Sequence, residues 1–130
     1  MQIKLPYDST KPIAGEASIE INKSIQDVFD FIGEHFFENY QKWAEEVVDL
    51  EPLTGNQVFI GAKAKQVRKD NGEAVESIFE IIDFQPYQLV FQGVTAPYKH
   101  SYVLENLQEA IPTRLTFRFE LLELEIFMRP

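Results

Sequence analysis

Two residues able to exchange protons, His100 and Tyr102, stand two apart in a strand-like run and therefore point to one face. Facing inward, they would put a polar tip in an apolar interior, able to hydrogen-bond or accept a proton. Leu104 shares their face and supports that orientation, whereas Ser101, Val103 and Leu107 leave the face open. The other histidine, His35, falls at a helix end, where an imidazolium would stabilise the negative pole. The two histidines lie far apart without an acidic partner at a metal-binding spacing, so no metal or other cofactor is expected. There are 0 cysteines, which excludes disulfides, thiolate metal sites and a thiol nucleophile. Asp49 with Glu51, and Glu76 with Glu80, could form carboxylate pairs for acid–base work. Strand alternation also produces such pairs freely on solvent faces. Arg68, Arg114 and Arg118 invite salt bridges with them. No G-x-S-x-G motif is present, and no serine is placed to make a nucleophile with a histidine, so no catalytic residue is assigned. The remaining chemistry is aromatic: 11 Phe, 5 Tyr and 1 Trp suit an aromatic-lined cavity, although core packing accounts for most of them.

These residues need elements to hold them. Ala17, Ile19 and Ile21 alternate with polar residues as a half-buried strand. At Ser24 the period changes: Ile25, Val28, Phe29, Ile32 and Phe36 form one helical stripe, opened by a Ser24–Asp27 capping box and weakened by Gly33. A second short helix over about 37–46 carries Tyr40, Trp43 and Ala44 on one side. From Val47 onward nearly everything reads as strand. Val48, Leu50 and Pro52 alternate with Asp49 and Glu51, and Val58–Arg68 and Glu73–Phe84 flank an Asp70-Asn71-Gly72 hairpin turn. Leu89–Phe91 and Tyr98–Leu107 follow. Leu115, Phe117, Phe119 and Leu121 then give the clearest two-residue period in the chain. A strand, two helices and about six consecutive strands joined by short turns predict an α+β fold with an antiparallel sheet.

At 130 residues the chain is expected to be one domain over 14–130, preceded by an extended, proline-containing arm over 1–13. A net charge of −9 disfavours nucleic acid and anionic membrane surfaces. The densest basic stretch, Lys63, Lys65, Arg68 and Lys69, reads as a solvated strand face. The first residues lack the apolar core of a secretory signal, and no apolar run is long enough to span a bilayer. No membrane insertion is therefore expected, and the cytoplasm is the expected location.

This order of elements, with these residues, resembles the START-like (SRPBCC) superfamily, and within it the polyketide cyclase/dehydrase and lipid-transport family. The likeness runs over roughly residues 15–125. It begins at Ala17–Ile21 leading into Ser24–Ile32, and continues through Tyr40-Gln-Lys-Trp43 and Val47–Gly55. Gly61, Asp70-Asn-Gly72, Phe79–Pro86, Leu89–Phe91 and Thr113–Phe117 complete it. The resemblance implies a helix-grip fold, in which a curved antiparallel sheet of about seven strands wraps a long C-terminal helix over an apolar cavity. The sequence ends at Pro130, with too few residues after Leu121 for that helix. An uncovered apolar face is expected to pair with a second copy, as a homodimer, or with a partner element.

Three readings follow. The first is binding, or transport, of a hydrophobic small molecule or lipid, with Tyr40, Trp43, Phe79, Phe91, His100, Tyr102, Phe117 and Phe119 lining the cavity. Tyr40 and Trp43 lie near the helix-to-sheet junction, which the family uses as its cavity mouth. The second is a cyclase or dehydratase acting on a polyketide-like substrate, in which His100 or Tyr102 moves a proton. The third is a protein-interaction module using the open sheet face, which a tightly filled interior would favour.

Overall fold

A computed structural model describes residues 14–122, apart from Asn71 and Glu109. The arm over 1–13 and the residues after Leu122 lie outside the described residues. Seven strands make one sheet: β1 (Ala14–Ile21), β2 (Val47–Pro52), β3 (Lys63–Asp70), β4 (Glu73–Gln85), β5 (Gln88–Gly93), β6 (Tyr98–Asn106) and β7 (Thr113–Leu121). Their order is β1-β7-β6-β5-β4-β3-β2, and every neighbouring pair is antiparallel. Two helices, α1 (Ile25–Phe29) and α2 (Phe36–Trp43), connect β1 to β2, the two edge strands of the sheet. The class is α+β.

Helix α1 starts where the sequence places it, with the Asp27 amide donating to Ser24 Oγ at 3.1 Å. The single stripe expected as far as Phe36 does not persist. Asp30–Glu34 forms a π-turn, in which the His35 amide bonds the Asp30 carbonyl at 3.0 Å. Gly33 permits this. A Cβ there would lie 2.8 Å from Cδ1 of Phe29, whose ring stacks on Phe84 and meets Tyr87 edge-on. The break turns α2 so that Phe36 and Tyr40 press onto the sheet while Trp43 lies beside them. His35 sits at the junction, closing the π-turn and opening α2, and its Nδ1 lies 3.3 Å from Glu38 Oε1 in the first turn of α2.

Two strand assignments shift. A bulge between Val47 and Asp49 makes Val47, rather than Val48, the buried residue of β2. Val58–Ala62 is loop instead of strand, with Gly61 at φ +100°. Burial then sorts the basic stretch. Lys65 bridges Glu51 and Glu76 across the solvent face, at 3.2 and 3.4 Å, as alternation predicts. Arg68 instead shares the face of buried Ala64 and Gln66 and bonds Glu46 at 2.9 Å, so it is not part of a solvated cationic face. Arg118 pairs with Glu16 and Glu120 rather than with the carboxylates expected from sequence.

Candidate ligand cavity

The two halves of the concave face are filled differently. Under α2, Phe79 of β4 and Phe91 of β5 are fully buried with ring centroids 4.5 Å apart, capped by Phe36 and Tyr40. That half is packed core. Toward β6, β7 and β1 the helices stand off from the sheet, and a cavity of about 640 Å³ opens between those strands and the helices. Its volume falls within the usual range for small-molecule sites. Its walls are Ala17, Ile19 and Ile21 of β1, Leu115 and Phe117 of β7, and Val28, Phe31, Ile32, Trp43 and Ala44 from the helical side. Ile19, 53% exposed, marks the open mouth.

Strand register explains why β6 supplies the polar floor. His100 lies opposite Phe119, Tyr102 opposite Phe117 and Leu104 opposite Leu115, so these alternate residues share the concave face. This decides the orientation that Ser101 and Val103 leave open in the sequence. His100 is packed among the rings of Phe91, Tyr98, Phe117 and Phe119. Burial, aided by the charge on Arg68, lowers its pKa from 6.5 to about 3. The imidazole is therefore neutral at physiological pH, and no described residue hydrogen-bonds it. His100 is itself one of the residues that line the cavity.

Tyr102 accepts a hydrogen bond from Trp43 Nε1 at 3.2 Å, which ties β6 to the end of α2. Burial raises its pKa, so the hydroxyl stays protonated. Tyr40 is held differently. Its hydroxyl donates to Gln66 Oε1 at 3.1 Å, and Gln66 Nε2 donates to the Tyr98 hydroxyl at 3.0 Å, which lies 2.9 Å from Ser77 Oγ. This network satisfies the fully buried Gln66 beneath the packed half of the face. The charged groups on the cavity are Lys23, Asp27 and Glu46, and Glu46 is already engaged by Arg68.

The structure thus brings together Tyr40, Trp43, His100, Tyr102 and Phe117 of the residues expected to line a cavity. Phe79 and Phe91 do not line it: α2 seals them into the core. Phe119 shares the same face but packs edge-on against His100 outside the lining. Sequence reasoning missed the β1 wall, the Phe31–Ile32 lip and Glu46. The alternation of Ala17, Ile19 and Ile21 signals a buried face, but only the pairing of β1 with β7 says against what. Among the described residues, no cluster of three His, Asp or Glu side chains could hold a metal ion, and no helix is long and apolar enough to cross a membrane.

This architecture is a START-like fold. Solved structures with a similar fold include a major latex-like protein of Panax ginseng, 15% identical, with a TM-score of 0.64 over 90% of this chain and 85% of that one. An aromatase/cyclase of Streptomyces is 12% identical, with a TM-score of 0.72 over 86% of this chain and 68% of its own. The KanY protein, 8% identical, gives 0.71 over 88% and 77%. No protein-family model matches the sequence, and no curated protein matches it. At these identities the likeness establishes the fold, and function must be argued from the cavity.

Proposed function

We propose that the chain binds a hydrophobic small molecule in the cavity bounded by β1, β6, β7 and the helices, without chemistry of its own. The observation that carries this reading is the cavity itself: about 640 Å³, walled by aliphatic and aromatic side chains and open at Ile19. Affinity would come from removing apolar ligand surface from water, at about 25 cal/mol per Å². Solved structures of similar fold, described as a major latex-like protein and an aromatase/cyclase, are compatible with binding and with cyclase chemistry alike. The state of His100 favours binding. An imidazole with a pKa of about 3 is a weak base and is not in its acidic, cationic form at neutral pH. A tightly filled interior would favour a protein-interaction module, and a cavity of about 640 Å³ supports ligand binding instead.

Native mass spectrometry on protein purified without detergent or delipidation tests the reading. An extra mass that is lost on denaturation is the expected result. The same spectrum reads whether the exposed mouth pairs with a second copy. A bare chain that also fails to take up added apolar compounds would overturn the proposal.

A further inference from the structure

The hydrogen-bond directions on the cavity floor define which ligand oxygen the site can accept. An indole N–H only donates, so in the Trp43–Tyr102 bond the phenol oxygen is the acceptor and its own proton is left over. No described residue accepts that proton. Tyr40, by contrast, spends its proton on Gln66, and Tyr98 is engaged by Gln66 and Ser77. Tyr102 is only 5% exposed and lies on the cavity wall, so the unspent donor has the cavity as its outlet. A buried donor without a partner is costly, and a ligand acceptor would relieve that cost.

Charge narrows the choice further. Among the described residues the guanidinium near the floor is that of Arg68, and it is held by Glu46 at 2.9 Å. Lys23 on the rim shares the lining with the carboxylates of Asp27 and Glu46. A ligand carboxylate entering this space would lose its hydration without gaining an uncommitted cation at the floor from the described residues.

Resting on the binding reading above, we propose that Tyr102, oriented by Trp43, is the specificity-determining donor, and that it selects uncharged apolar ligands bearing a carbonyl oxygen over carboxylate anions of the same length. Trp43 is the chain's only tryptophan and lies on the same wall, so its emission reports occupancy directly.

The test is a titration of the full chain with methyl octyl ketone and, separately, with decanoate. It is run at neutral pH in about 0.5 M salt to screen the net charge of −9. The ketone is expected to bind about ten-fold more tightly than decanoate. Tyr102→Phe, which removes the donor and keeps the ring, is expected to weaken the ketone about five-fold and leave decanoate unchanged. Decanoate binding as tightly as the ketone in the wild-type chain overturns the proposal, whatever the variant does. So does a folded Tyr102→Phe protein with unaltered ketone affinity. In either case the cavity reading stands, because a ligand has bound. If neither compound binds, the cavity reading falls and this proposal with it.

Discussion

Burying His100 in a neutral state has a thermodynamic consequence large enough to measure. In the unfolded chain the imidazole titrates near 6.5, whereas in the folded protein it titrates at about 3. Above pH 6.5 both states are neutral at this site, and it adds no pH dependence. As pH falls from 6.5 toward 3 the unfolded state binds a proton that the folded state refuses, so stability is lost through that window and levels off below it. At pH 5 the loss is set by the unfolded state alone and amounts to about 2 kcal/mol. For a chain of this size that corresponds to a fall in Tm of about 8 °C. The perturbation is His100→Phe, which suits the surrounding rings of Phe91, Phe117 and Phe119. Urea unfolding of both proteins, followed by circular dichroism between about pH 8 and pH 5, gives the difference directly. Every other titrating group is common to the two and cancels. The wild-type chain should lose about 2 kcal/mol more than the variant over that range. Parallel pH profiles would refute the assignment of a neutral, buried imidazole.

Two further outcomes follow from the packing. Gly33→Ala should destabilise the protein by about 1–2 kcal/mol in thermal or urea melts, because the clamped Phe29 ring cannot yield and overpacking outweighs the gain in helix propensity. A variant as stable as the wild type would show that the ring moves. Tyr40→Phe should cost about 1–3 kcal/mol in urea unfolding by leaving Gln66 Oε1 without its donor in a fully buried site, while an unchanged midpoint would mean the amide finds another partner.

Most of the fold is legible in the sequence because strands with one buried face write their period into it. The alternating residues of β1 and β7 share the face that lines the cavity, and β3 pairs with β4 as the hairpin signal predicts, with Gly72 at φ +83°. What escaped depends on contacts distant in sequence. The stripe from Ile25 to Phe36 is a valid helix pattern, and only the Phe29 ring over Gly33 reveals that it breaks. In β2, a bulge exchanges Val47 for Val48, which alternation alone cannot show. Phe79 and Phe91 share a face with the cavity residues, yet α2 crosses one half of that face and leaves the other open. Periodicity names the face. It does not name the half. Arg68 reads as one of a basic run until burial beside Gln66 and pairing with Glu46 separate it from the lysines.

The central claim is that the space beside β1, β6 and β7 is a ligand site. A methyl-labelled NMR titration with a neutral apolar probe such as methyl octyl ketone tests it most directly. Ile19, Ile21, Val28, Ile32 and Leu115 line the cavity and should shift together and saturably. Ile82, Val90 and Val103, which line a shallow groove on the opposite face of the sheet, should stay still. Shifts confined to that groove, or none at probe saturation, would contradict the account.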